Sequence, residues 1–223
     1  MEMAYSGHVE PGGPAQTREL SEVTISKLSV GGMDNNAYLL VCRSTGDAVL
    51  IDAADENERI LDLLGDGPER PRLRSIVTTH RHPDHWQALP AVAGMTGANL
   101  YAGAADADAL PVPTDVPLDQ GSTVPLGASR LEVISLRGHT PGSVALLYRD
   151  PAGSAHLFTG DSLFPGGPGK TGSPDDFDSL LTDLQQRVFD VLPDDTWVYP
   201  GHGDDTTLGA ERPQLTQWRE RGW

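Results

Sequence analysis

Short apolar runs separated by polar turns set the rhythm of this chain. Residues 23–25, 37–41, 48–51, 74–78 and 99–101 are β-branched or aliphatic runs of strand length. The runs 37–41 and 48–51 read as a strand pair across Ser44-Thr45-Gly46-Asp47, and Asp52 closes the second strand. Between the strands, residues 57–64 place Ile60, Leu61 and Leu64 on one helical face, and residues 86–94 read as a second helix. The second half repeats the style. Residues 130–136 alternate, with Leu131, Val133 and Ser135 on one face and Glu132, Ile134 and Leu136 on the other. Residues 143–148, 156–158 and 197–199 are further strands. Residues 175–191 form the longest helical candidate, with Phe177, Leu180, Leu181, Leu184, Val188 and Leu192 at three- and four-residue spacing. Ser173-Pro174-Asp175-Asp176 supplies its cap, an early proline and acidic residues at the positive end of the dipole. A last helix is expected over 209–223, pinned by Trp218 and Trp223.

Strands and helices in two similar halves suggest two sheets packed face to face with helices outside. No linker separates two domains, and 104–125 reads as a surface connection. Residues 1–18 are rich in Gly, Pro and Glu without periodicity, so a disordered tail is expected there, followed by a single domain over 19–223.

Composition narrows the class. The 223 residues suffice to bury a core without disulfides, and Cys42, the one cysteine, sits inside an apolar run as a small buried hydrophobe. A formal charge of -16, from 32 acidic and 16 basic residues, disfavours nucleic acid and anionic membrane as partners. No segment is apolar over 18 residues, and no charged start leads into an apolar stretch, so a cytoplasmic protein is expected.

The chemistry concentrates in His80-Arg81-His82-Pro83-Asp84-His85, directly after a strand. Three more candidates stand in Gly-rich turns: His139 in Gly138-His139-Thr140-Pro141-Gly142, Asp161 in Thr159-Gly160-Asp161, and His202 in Pro200-Gly201-His202-Gly203. A histidine alone in a turn is an ordinary surface residue, but this cluster is not an ordinary turn. Imidazole and carboxylate suit zinc, with iron or manganese as alternatives. Two ions are expected: His80, His82 and His139 on one, Asp84, His85 and His202 on the other, and Asp161 between them. A water between two dications loses a proton near neutral pH, and the hydroxide attacks a carbonyl. Asp84 and Asp161 are thus the candidate catalytic carboxylates. His8 and His156 are read as non-ligands.

These motifs, with Thr159-Gly160-Asp161-Ser162-Leu163-Phe164, resemble those of metallo-β-lactamase-fold hydrolases, and among them the hydroxyacylglutathione hydrolase (glyoxalase II) group. The resemblance covers roughly residues 20–207 and implies an αββα sandwich of two mixed sheets. It implies a supporting role for Asp52 behind the metal shell. It also implies that Lys170, in Gly167-Pro168-Gly169-Lys170, binds an acidic end of the substrate. The aromatic residue expected after that lysine is replaced by Thr171-Gly172, and the C-terminal helical domain of that group has no counterpart after His202. The expected function is therefore a dinuclear metal hydrolase of a small thioester, ester or lactone, of the glyoxalase II-like type. A thiol conjugate is a candidate substrate and a homo-oligomer a candidate assembly. The alternatives are a mononuclear iron persulfide dioxygenase using His80, His139 and Asp161, and a non-catalytic metal-stabilised domain.

Overall fold

The computed structural model describes residues 5–65, 67 and 70–222. Seven strands form the first sheet: β1 (Gln16–Glu19), β2 (Val23–Val30), β3 (Asn35–Cys42), β4 (Asp47–Ile51), β5 (Arg72–Thr78), β6 (Asn99–Gly103) and β7 (Val116–Leu118), in sequence order across the sheet. The strands β1 to β4 are antiparallel hairpins. From β4 to β7 the pairing is parallel. The first two parallel crossovers carry the helices α1 (Asn57–Asp62) and α2 (Leu89–Thr96).

The second sheet contains β8 (Thr123–Leu126), β9 (Ser129–Ser135), β10 (Val144–Arg149), β11 (Ala155–Gly160), β14 (Trp197–Pro200) and β15 (Thr206–Thr207). Only β11 and β14 pair in parallel, and α3 (Pro174–Leu184) crosses between them. A small ribbon, β12 (Leu163–Phe164) with β13 (Gly167–Pro168), projects from the end of β11. The chain then runs through α4 (Leu208–Glu211) and α5 (Leu215–Arg221). This is the expected αββα sandwich.

Alternation along the strands decides which face meets which layer. In β4, Val49 and Ile51 enter the cluster between the sheets, while Ala48 and Leu50 turn to the helices. Facing them across the sandwich are Leu131 and Val133 of β9, Leu146 of β10 and Phe158 of β11. Ile60 of α1 and Leu89 and Val92 of α2 cover the first sheet. Phe177, Leu180, Leu181 and Leu184 of α3 cover the second, joined by the fully buried Trp218 of α5.

Four expectations change. The described part of the 1–18 segment is built into the fold: β1 pairs with β2, Val9 is buried, and the Tyr5 ring packs 6.4 Å from both Trp197 and Tyr199. The physical reason lies on β2, where Lys27 faces the interior and donates to the Gly7 carbonyl at 2.8 Å. Residues 1–4 lie outside the described residues, as does Trp223. The helix expected over 86–94 starts late, because a short turn over Pro83–His85 precedes α2. The long helix ends as α3 at Leu184 and continues as a wider turn over Gln185–Phe189. The 104–125 connection holds β7 and most of β8.

Candidate metal centre

All the candidate ligands sit at the carboxyl ends of strands, along one edge of the sandwich. From the first sheet, Asp52 follows β4 and the 80–85 segment follows β5. From the second, His139 follows β9, Asp161 follows β11 and His202 follows β14. These three strands run the same way, since β9 and β11 are both antiparallel to β10 and β14 is parallel to β11. The sandwich thus brings together residues from Asp52 to His202.

Three groups of donor atoms converge: His80, His82 and His139; His80, His85 and Asp161; and Asp84, His85 and His202. Within each group the donor atoms lie within 4.8 Å of one another. His82 Nδ1 is 2.9 Å from His139 Nε2, which is 3.3 Å from His80 Nε2. On the other side His85 Nε2 is 3.2 Å from His202 Nε2. Asp161 spans the two, with Oδ1 3.4 Å from His85 Nε2 and Oδ2 3.4 Å from His202 and 3.6 Å from His139. Asp84 Oδ2 lies 3.3 Å from His202 Nε2 and 3.5 Å from His85 Nε2.

The outer nitrogens of four rings assign the tautomers. His139 Nδ1 donates to the Lys170 carbonyl at 2.6 Å, and His202 Nδ1 to the Met33 carbonyl at 2.8 Å. His85 Nδ1 faces Asp52 Oδ2 at 2.9 Å. His80 Nδ1 faces Thr79 Oγ1 at 3.1 Å, and that hydroxyl gives its own proton to Asp52 Oδ2 at 2.8 Å. With each outer nitrogen holding a proton, the Nε2 atoms of His80, His85, His139 and His202 all point inward. Nitrogens this close cannot each be left with an unshared lone pair, and a cation among them, whether proton or metal, removes the conflict. Asp161 Oδ1 agrees: it is buried without a hydrogen-bond partner among the described residues. The donor set of imidazoles and carboxylates therefore fits divalent metal.

The electrostatics point the same way. Burial, helped by the neighbouring imidazoles, holds His80 well below the usual histidine range and lowers His82. Burial also disfavours charge on His85, but Asp161 and Asp52 outweigh it and raise its pKa to about 10. His202 is raised against burial by Asp161. Burial pushes Asp161 up, yet His202 and His85 hold it below the usual carboxylate range. Carboxylates in this cleft demand positive charge close by.

Local backbone explains the motifs. Asp52 adopts φ 56°, a left-handed conformation rare outside glycine, and both its oxygens are engaged: Oδ1 accepts from the Thr79 amide at 2.7 Å. A Cβ on Gly201 would lie 2.2 Å from Asp161 Oδ1 and 2.7 Å from His85 Cε1, so only glycine precedes His202. Asn35 was not singled out in the sequence. Its Nδ2 donates to the Asp84 carbonyl at 2.9 Å and to Asp84 Oδ2 at 3.0 Å. A paired Asn35-Asn36 ahead of an apolar strand was the available signal. Asp106 was also missed, and it ties the 80–82 segment to the 138–142 turn. His8 and His156 belong to none of the three groups.

A sequence profile of the metallo-beta-lactamase superfamily matches residues 30–202. The chain belongs to the metallo-beta-lactamase superfamily. It is 38% identical over 171 residues to the hydroxyacylglutathione hydrolase of Fuscovulum blasticum, covering 76% of this chain and 62% of that protein. The chain thus spans less than two thirds of that relative's length. An uncharacterized protein of Aquifex aeolicus is 30% identical over 204 residues, covering 84% of this chain and 93% of that one. Among solved structures, TTHA1623 in a di-iron-bound form superposes with a TM-score of 0.67 at 32% identity, covering 83% of this chain and 96% of that one. Among the described residues of this superfamily member, no helix is long and apolar enough to cross a membrane.

Proposed function

We propose that the protein is a dinuclear metal hydrolase of a small thioester, ester or lactone, with zinc as its metal. The observation that carries this reading is Asp161, whose two oxygens face the His85 side and the His139 side at 3.4 and 3.6 Å. In this reading His80, His82 and His139 would hold one ion, Asp84, His85 and His202 would hold the second, and Asp161 would serve both. Bound there, the two ions would polarise the carbonyl and bring the pKa of water toward neutrality. The similarity to hydroxyacylglutathione hydrolases supports a thiol conjugate as the substrate class.

The chain's own groups do the rest. Asp84 Oδ2 stands between His85 and His202, where the Asn35 amide fixes it as a donor for the second position. Asp52 keeps His85 turned, so its Nε2 stays aimed inward. The rim offers apolar surface from the exposed Met33 and from Phe164, whose ring lies 6.3 Å from that of His202. Lys170 sits beside the cleft, because its carbonyl holds His139, and its side chain meets an acidic substrate end.

The test measures metal per chain, thioester turnover and oxygen uptake on one preparation. Two ions per chain and turnover that disappears in Asp161→Ala are expected. One iron per chain with persulfide-dependent oxygen uptake would overturn the hydrolase in favour of an oxygenase. A di-iron hydrolase would keep the reaction and correct the metal, as the di-iron relative allows.

A further inference from the structure

Two buried carboxylates stand behind the metal centre, one at the end of β4 and one just past the end of β6. Asp52 serves the local segment: it binds the Thr79 amide and hydroxyl and His85 Nδ1. Asp106 is equally buried, at 1% exposure, and it serves different atoms. Its Oδ2 accepts from the Arg81 amide at 3.1 Å and from the Thr140 hydroxyl. Its Oδ1 accepts from the Gly142 amide at 2.9 Å. Arg81 lies between His80 and His82, and Thr140 follows His139. One carboxylate therefore clamps both chain segments that carry the His80, His82 and His139 group.

The clamp is tight and made for an anion. All of its hydrogen-bond partners are donors, the arrangement an ionised carboxylate satisfies and an amide does not. The Arg81 guanidinium adds positive charge, with Nε 3.8 Å from Oδ1. The Thr140 hydroxyl also lies 2.7 Å from the Ser143 hydroxyl, which accepts from the Thr140 amide at 3.1 Å. A Cβ on Gly142 would come within 2.4 Å of the Asp106 amide nitrogen, so the turn rests directly on the clamp. No hydrogen bond of Asp106 reaches Asp84, His85 or His202.

We infer that Asp106 is a positioning residue for the His80, His82 and His139 group alone, whereas Asp52 reaches both groups. The inference rests on the dinuclear reading. Asp52 acts on His85 directly and on His80 through Thr79. Asp106 sets the separation of His82 from His139, the pair whose nitrogens approach to 2.9 Å.

Zinc affinity, measured by competition with a chromophoric chelator, and the absorption spectrum of the cobalt-loaded protein test this. Wild type should bind two ions. Asp106→Asn should retain one ion at wild-type strength and weaken the other about 10- to 100-fold, the range for loss of a carboxylate behind a metal ligand. Added to His82→Ala, the substitution should change little; added to His202→Ala, it should remove the remaining tight ion. Thr140→Val, which deletes the hydroxyl's bonds to Asp106 and Ser143 but leaves the Arg81 and Gly142 bonds of the clamp and the side-chain shape, should weaken the same ion less and perturb the same cobalt bands. It carries the test if Asp106→Asn does not fold. Unchanged affinity for both ions, or equal weakening of both, would overturn the inference. Fewer than two ions on wild type would instead bring down the dinuclear reading itself, and this inference with it.

Discussion

The two sheets deliver their share of the metal centre in different ways. The first contributes His80, His82, Asp84 and His85 from one continuous segment after β5, where His80 and His85 are buried. The second contributes His139, Asp161 and His202 from three strand ends. The first set is held largely by covalent connection and by two carboxylates, Asp52 and, through the Arg81 amide, Asp106. The second has no covalent connection and needs the whole sheet in register. His139 is steadied by the Lys170 carbonyl, and His202 by the Met33 carbonyl in the turn between β2 and β3 of the first sheet. Ligand geometry in the second set is therefore a property of the fold, and in the first set a property of a turn.

The largest effect expected erases this difference. His85→Ala, from the turn, and Asp161→Ala, from the sheet, should each lower thioester turnover by about 10³-fold or more, since a bound metal contributes several kcal/mol to the transition state. Steady-state kinetics at saturating metal is the measurement. Full activity in either variant would remove that residue from the metal centre.

The next prediction separates stability from ligation. Lys27 and Asp205 form a fully buried ion pair at 2.7 Å. Lys27 also donates to the Gly203 carbonyl at 2.6 Å, one residue beyond His202, and to Gly7. Asp205 in turn accepts from Tyr5 and Trp197. Lys27→Met leaves a buried carboxylate unpaired and should destabilise the fold by about 3–5 kcal/mol. Urea unfolding should show this, and Lys27→Met with Asp205→Leu should recover part of it. A loss below about 1 kcal/mol, the worth of an exposed pair, would contradict a structural role.

The same contrast explains what the sequence displayed. His80 to His85 is legible because its four donors are neighbours in the chain, and the strand before it fixes their direction. His139, Asp161 and His202 are legible because close approach demands glycine beside them, as at Gly201. The supports were less visible. Lys27 on a strand reads as a surface lysine until Asp205, 178 residues away, is placed against it. Asp106 lies in an Ala- and Asp-rich stretch where nothing marks one aspartate over another. Tyr5 and Val9 carry no periodicity, and their burial depends on sites that other strands provide. The strand β7 spans only three residues, too few for alternation to register.

A smaller effect tests the register of the second sheet. His156 lies inside β11, with Nδ1 2.9 Å from the Tyr199 hydroxyl of β14 and Nε2 3.0 Å from the Ser154 hydroxyl. Burial, with Arg18 nearby, lowers its pKa to about 4. An unfolded histidine titrates near about 6.5. Between those values the unfolded chain binds the additional proton, so stability is full above about pH 6.5 and falls as the pH drops toward about 4. His156→Gln should flatten that slope by at most about 1.4 kcal/mol per pH unit. Parallel slopes for wild type and variant in urea unfolding would show that His156 titrates normally.

The smallest effect concerns Lys170, where one residue has two separable roles. Its carbonyl holds His139 at 2.6 Å, and any side chain preserves that contact. Its own side chain is exposed. Lys170→Ala should therefore leave metal content and kcat unchanged. The loss should fall on KM for substrates with a carboxylate end, by about 1.4- to five-fold, as befits a solvent-screened pair of about 0.2–1 kcal/mol. Neutral esters should show no change. A fall in kcat or in bound metal would mean that the side chain shapes the loop behind His139. An equal KM for acidic and neutral substrates would leave Lys170 as a backbone support only, and the second sheet's contribution would then end at its carbonyl.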